Sequence, residues 1–165
     1  MNTVHYIALG ANLPGLDGAP PLMVLARAVR AIGALPYAQG LVRSRWFSSA
    51  PIPAGDQPRY INGVVRLVGA VEPVRLLADL QAIETAFGRV RSVANAPRIL
   101  DLDIVDSGGL TRAAPDPVLP HPRAHLRAFV LLPLRDVAPG WVHPVLRVGV
   151  AALIAGLPAQ DIAAV

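Results

Sequence analysis

The chain contains no cysteine and no lysine. Without thiols, disulfide scaffolds, thiolate nucleophiles, cysteine-ligated zinc and iron–sulfur clusters all drop out. Without lysine there is no Schiff-base chemistry, no Walker A lysine and no kinase strand lysine. Charge is sparse, at 16% of residues, and its acidic part is sparser: nine aspartates and two glutamates stand against 15 arginines, for a net charge of +4. That balance suits an anionic ligand, which guanidinium forks, backbone N–H groups or a metal must then handle. Aromatics make up only 5%, and the strand reading Val64-Val65-Arg66-Leu67 lacks the stacking rings of an RNA-recognition sheet. Long apolar runs are missing too. The best, around Val148–Leu157, falls short of the roughly 18 residues of a membrane span. No GxSxG, GxGxxG or basic-then-apolar leader occurs. The expectation is a soluble, cytoplasmic protein with no nucleic-acid and no membrane partner.

What is present is apolar: 53% of 165 residues, enough for one self-contained domain over residues 1–165. A unit of that size points to a monomer. The 17 prolines are scattered between periodic stretches and form no tract.

His5–Leu9 reads as a buried strand ending at Gly10. Pro20 and Pro21 open a helix with Leu22, Leu25, Val29 and Ile32 at helical spacing. A strand over Leu41–Phe47 and a long loop over Ser48–Pro58 follow. Tyr60–Val68 alternates as a strand. Pro73 starts a second helix through Val74, Leu77, Leu80, Ile83, Glu84 and Phe87, closed by Gly88. Leu100–Val105 is a fourth strand. The order β-α-β-β-α-β is the ferredoxin-like arrangement of an α+β fold. An apolar stretch at Phe129–Val137 and a helix around Val145–Leu157 complete the chain.

The sharpest chemical signal is Arg98-Ile99-Leu100-Asp101-Leu102-Asp103-Ile104. Strand alternation puts Asp101 and Asp103 on one face, with Leu100, Leu102 and Ile104 on the other. Two adjacent carboxylates repel and call for a cation, and their hard oxygens suit Mg²⁺. A solvated acidic face on an edge strand is the plainer alternative. Arg89, Arg91 and Arg98 bracket the loop Ser92–Pro97 and offer forks for phosphate, although Arg89 and Arg91 equally suit a helix C-terminus. Glu84 either holds Arg89, five residues on, or is solvated. His121-Pro122-Arg123-Ala124-His125-Leu126-Arg127 concentrates two histidines and two arginines. Pro122 argues against a helical zinc pair, leaving phosphate contacts, proton handling or plain surface positions. Tyr60 and Asn62, two apart at a strand start, present a ring and an amide to the same side, a pairing suited to a flat heterocycle.

Taken together, these segments resemble the 6-hydroxymethyl-7,8-dihydropterin pyrophosphokinase family. The resemblance runs from Tyr6-Ile7-Ala8-Leu9-Gly10-Ala11-Asn12-Leu13 through Asp56–Asn62, Phe87–Arg91 and Pro97–Ile104 to Leu119–Arg123 and Arg127–Leu134. It implies ATP as co-substrate, two Mg²⁺ ions, a dihydropterin as the other small-molecule substrate, and diphosphate transfer in folate biosynthesis. It further implies Asp101 and Asp103 as metal ligands and Arg89 and Arg98 as phosphate-holding catalytic residues. Gln81, Glu84, Ile104, His121 and Arg127 fall on nucleotide-binding positions. Tyr60 and Phe129 fall on the rings that sandwich the pterin, Asn62 on the amide that reads it, and Ser49 and Ile52 on positions beside it. The resemblance also makes Leu100–Ile104 a central strand. One departure stands out. Where the family carries Arg-Trp-Gly-Pro-Arg, this chain has Asn95-Ala96-Pro97-Arg98 in a shorter loop, so its lid is expected to seal the site less well. A weakly active or non-catalytic pterin- or nucleotide-binding paralogue is the alternative that this departure raises.

Overall fold

The computed structural model describes residues 1–90, 94 and 96–165. The expectations for Arg91 and for Ser92, Val93 and Asn95 of the Ser92–Pro97 loop therefore fall outside the described residues.

Among the described residues ten regular elements follow one another: β1 (Thr3–Ala11), α1 (Pro21–Gly33), β2 (Ala38–Arg43), β3 (Phe47–Ser49), β4 (Tyr60–Gly69), α2 (Pro73–Ala86), β5 (Asp101–Ser107), α3 (Ala128–Val137), α4 (Val150–Ala155) and β6 (Ile162–Ala164), with a 3₁₀ turn at Ala124–Leu126 before α3. All strand pairs are antiparallel. The sheet runs β5-β1-β4-β3-β6, with β2 also on β4. Its first four expected strands thus lie in the order β5-β1-β4-β2 with α1 and α2 as crossovers, the ferredoxin-like α+β arrangement. The C-terminal elements are additions to it.

Alternation divides the sheet into two chemistries. Ile7, Leu9, Val65, Leu67, Leu102 and Ile104 point to one face and form a dry core with Val24, Leu25, Ala28 and Ile32 of α1 and Leu76 and Leu80 of α2. The opposite face carries Ala8, Val64 and Val105 under α3 and α4, and it leaves part of the sheet uncovered beside them. Truncating a fully buried side chain such as Leu80 costs about 2–5 kcal/mol.

Several expectations shift. In α1 the inward stripe is Val24, Leu25, Ala28 and Ile32, while Leu22 is exposed. In α2 the inward positions are Pro73, Leu76, Leu80 and Glu84, and Val74 is exposed. Glu84 thus continues an apolar stripe, which carries its carboxylate under the sheet. The single strand expected over Leu41–Phe47 is two. At the break the Ser44 hydroxyl accepts from Val64 N–H at 2.9 Å, a side chain standing in for the ladder before β3 resumes on β4. Ser48 and Ser49, expected in the loop, belong to β3. Only Val150–Ala155 of the C-terminal helix forms. Upstream, His143 Nδ1 accepts from Val145 and Leu146 N–H at 3.2 and 3.0 Å, and His143 N–H donates to Val148 O at 2.9 Å. Those bonds make a tight turn instead of helix. The apolar stretch at 129–137 is helix α3, with Pro133 inside it. Finally, β5 is not central but lies at the sheet edge, paired with β1. Its outer side meets the 119–121 segment, where His121 N–H donates to Val105 O at 2.9 Å.

Candidate active site

The uncovered part of the sheet is the floor of a cavity of about 230 Å³. Register builds that floor. Gly10 pairs with Asp101 on one side and with Asn62 on the other, and Ala8 pairs with Asp103. Strands are about 4.8 Å apart, so a carboxylate and an amide stand about 10 Å apart on one row with a bare glycine between them. A Cβ at Gly10 would rise 3.4 Å from Asn62 Oδ1. The absent side chain keeps the two ends of the cavity open to each other.

One end is charged. Asp101, Asp103, Arg98, His121, Arg123 and Arg127 line it. Asp101 is gripped on both oxygens, by Arg89 Nη1 at 2.9 Å and Arg98 Nη1 at 3.0 Å. Arg89 also pairs with Glu84. The helix end makes that pairing possible at a spacing of five. Gly88 has φ +97°, a value open to glycine without strain, and Arg89 N–H turns back to Glu84 O at 3.0 Å. Glu84 Oε2 additionally accepts from Leu102 N–H at 2.9 Å, so one buried carboxylate joins α2, Arg89 and the strand between the two aspartates. Burial raises the Glu84 carboxyl above its ordinary value, while the Leu102 N–H and Arg89 act against the rise. Burial, then the neighbouring charges of Asp101 and Glu84, push Asp103 up to about 7. Burial and the nearby Arg127 guanidinium push His121 down to about 4.

The other end is neutral. Tyr60, Asn62, Ser49, Ala50, Ile52, Pro53 and Phe129 line it. Asn62 is buried and its Nδ2 donates to Ser49 Oγ at 2.7 Å, which sets the direction of the amide. Phe129 stands at the start of α3, and the Arg127 guanidinium lies 5.4 Å from its ring centre.

Of the residues singled out in the sequence, Arg98, Asp101, Asp103, His121, Arg127, Ser49, Ile52, Tyr60, Asn62 and Phe129 line this one cavity. Arg89 reaches it through Asp101. Glu84 lies beneath the floor, buried. Ile104 faces the α1/α2 core, and Gln81 is exposed on α2 outside the lining. His125 sits edge-on to His143, ring centres 5.4 Å apart, outside the lining. The acidic strand is an edge strand, yet its carboxylates face this cavity and not open solvent.

Sequence reasoning overlooked Asn12. Its Oδ1 accepts from Arg98 N–H at 2.9 Å, and its Nδ2 donates to Gln57 Oε1 and Pro58 O, each at 3.2 Å. One buried amide therefore ties the charged end to the loop that precedes Tyr60. An asparagine after a strand-ending glycine reads as a turn residue, and that ordinary meaning hid the long-range one.

Asp101 and Asp103 offer hard oxygen ligands on one face, and the charge pressure on Asp103 is what a cation relieves. Among the described residues no group of three or more His, Cys, Asp or Glu side chains gathers around them. A metal held there must complete its shell with water and substrate oxygens, which is the habit of magnesium and not of structural zinc. The donor set fits magnesium.

Residues 6–139 match the family model described as 7,8-dihydro-6-hydroxymethylpterin-pyrophosphokinase (HPPK). The chain belongs to the HPPK family. A relative from Pseudomonas aeruginosa, named 2-amino-4-hydroxy-6-hydroxymethyldihydropteridine pyrophosphokinase, is 42% identical over 134 residues, covering 81% of this chain and 80% of its own. A relative of the same name from Haemophilus influenzae is 37% identical over 139 residues, 84% of each chain. Among solved structures, Plasmodium falciparum HPPK-DHPS superposes with a TM-score of 0.68 at 12% identity, over 94% of this chain and 44% of that one. That likeness concerns the HPPK fold alone. Among the described residues no helix is long and apolar enough to cross a membrane.

Proposed function

We propose that this HPPK-family chain, as a cytoplasmic monomer, transfers the terminal diphosphate of ATP to the hydroxymethyl group of 6-hydroxymethyl-7,8-dihydropterin in folate biosynthesis, releasing AMP. The observation that carries the reading is the row Asp101–Gly10–Asn62. It gives one cavity a carboxylate–arginine end for a polyphosphate and a ring–amide end for a flat heterocycle, open to each other across a glycine.

The heterocycle lies between Tyr60 and Phe129, and the Asn62 amide, oriented by Ser49, hydrogen-bonds its polar edge. Ile52 closes the rim. Arg98, Arg127 and His121 face the phosphates. His121 is neutral at pH 7, so it offers one N–H without adding charge. Arg89 holds Asp101 and keeps a guanidinium beside the phosphate end. Glu84 acts from below by fixing Arg89 and the Leu102 backbone. Asp101 and Asp103 would hold magnesium, which when bound would supply neutralisation of phosphate charge that otherwise repels the alcohol. The pterin hydroxymethyl oxygen forms a bond to the β-phosphorus, the bond from that phosphorus to the AMP oxygen breaks, and the alcohol proton passes to solvent. Most of the acceleration comes from alignment and fixed charge, so a strong general base is not required.

The test is AMP formation from ATP and the dihydropterin with Mg²⁺, with mass spectrometry of the pterin product. AMP together with pterin diphosphate supports the reading. Tight binding of both ligands without Mg²⁺-dependent AMP release overturns it in favour of a non-catalytic binder.

A further inference from the structure

Helix α3 begins without a cap of its own. Arg127 occupies the N-cap position, and its side chain makes no capping hydrogen bond, although the first N–H groups of a helix have no intrahelical acceptor. The acceptor comes from far along the chain. Ala128 N–H donates to Gln160 Oε1 at 2.9 Å, and Gln160 Nε2 donates to Leu126 O at 3.1 Å. One amide thus grips the backbone on both sides of Arg127, directly before Phe129.

From Gln160 the chain continues onto the facing wall of the cavity. Asp161 O accepts from Ala50 N–H at 3.0 Å. Ile162, Ala163 and Ala164 pair with Ser49, Ser48 and Phe47, and Val165 N–H donates to Trp46 O at 3.0 Å. The Asp161 carboxylate binds both Nη atoms of Arg59, at 2.9 and 3.1 Å. That pair is largely exposed and adds little, so the backbone bonds and the Gln160 amide do the fastening. Between the two walls a smaller recess of about 120 Å³ is bounded by Ser49, Ile52, Phe129, Gln160, Asp161 and Ile162.

We propose that residues 160–165 form a strap that sets the spacing between the Phe129 wall and the Ser49 wall, with Gln160 as the positioning residue. This rests on the assignment of the neutral end to the dihydropterin. Cutting the Gln160 amide leaves Ala128 N–H and Leu126 O without their partner and frees the first turn of α3, which carries the Phe129 ring. On the other wall, Ser49 directs the Asn62 amide. The disturbance therefore reaches the groups that grip the heterocycle. Arg127 sits inside the same grip and is loosened with it, whereas the carboxylates on β5, at the opposite edge of the sheet, keep their setting.

Calorimetry on the full chain with the dihydropterin, and separately with Mg²⁺ and a non-hydrolysable ATP analogue, tests this for Gln160→Ala, Gln160→Glu and Asn62→Ala. For Gln160→Ala the pterin Kd rises about tenfold, and the nucleotide Kd rises by only about threefold, through Arg127, which the same grip holds. Gln160→Glu recovers most of the loss, because its carboxylate still accepts at a helix N-terminus. An equal loss for both ligands, or no loss for either, overturns the strap. If Gln160→Ala does not fold, Gln160→Glu alone decides: losing one donor predicts about a two- to threefold weakening for pterin and a smaller one for the nucleotide, and an equal weakening for both overturns the proposal. Asn62→Ala separates the two layers. If it weakens pterin binding while the Gln160 variants do not, the strap alone falls; if it leaves pterin binding intact, the pterin assignment falls and the strap with it.

Discussion

The two ends of the cavity share a floor and lie two strands apart, yet they are held by opposite means. At the neutral end the polar groups are held by neutral partners: Asn62 on Ser49, and Ser49 on a strand closed by β6. At the charged end the groups compete. Asp103 is pushed up to about 7 and His121 down to about 4, and Asp101 is shared between two arginines. Burial makes both effects, since a low-dielectric wall strengthens what is paired and penalises what is not. The neutral end is a finished receptor. The charged end is a set of charges that a cation and a polyanion would bring into balance.

The largest expected effect comes from the charged end. Asp101→Ala or Asp103→Ala lowers transfer by at least about 1,000-fold, with pterin affinity within about twofold of the parent. A coupled AMP-release assay and calorimetry read the two quantities, and parallel losses would erase the distinction between the ends. Asp103→Asn sharpens it: transfer is lost while Tm rises by about 2–4 °C, because a carboxylate that resists ionisation has been removed.

Next comes Asn62→Ala, which weakens pterin binding about 30-fold and leaves the nucleotide unaffected. Glu84→Ala follows. It strips the Leu102 N–H and Arg89 of a buried partner, for about 2–3 kcal/mol of stability, read by denaturant unfolding. A loss of less than about 0.5 kcal/mol would mean that α2 does not support the carboxylate strand as described.

The smallest effect at neutral pH is a titration. His121 holds its proton less tightly folded than unfolded, so between pH 6.5 and about 4 the unfolded chain binds more protons at this position and the fold loses stability as pH falls. Above pH 6.5 the contribution is complete. NMR of the imidazole is expected to show a midpoint near 4; a midpoint near 6.5 would place the ring in open solvent and remove it from the charged end.

Much of this was legible in the residues because it depends on period two and on turn chemistry. Asp101 and Asp103 share a face by alternation alone, as do Tyr60 and Asn62, and the prolines and glycines marked both long helices correctly. The phase of α1 was less legible, since alanines such as Ala28 bury as well as leucines do and carry no pattern. The break after Arg43 was hidden because a serine hydroxyl can replace a ladder bond without any Gly or Pro to announce it. The edge position of β5 and the reach of Gln160 are facts of tertiary order. No local rule links an amide at 160 with a helix start at 128.

Asn12 sets a limit on substitution that its position outside the cavity lining conceals. Its side chain is read at both tips: the oxygen receives the Arg98 N–H, and the nitrogen delivers hydrogens to Gln57 and Pro58. Aspartate is the same size and shape, but in that place its second oxygen would confront two other oxygens with lone pairs and no hydrogen between them. Leucine is nearly as large and supplies neither. The constraint is therefore one of polarity along a single bond, a one-atom choice between nitrogen and oxygen. It falls on a residue that does not line the cavity at all.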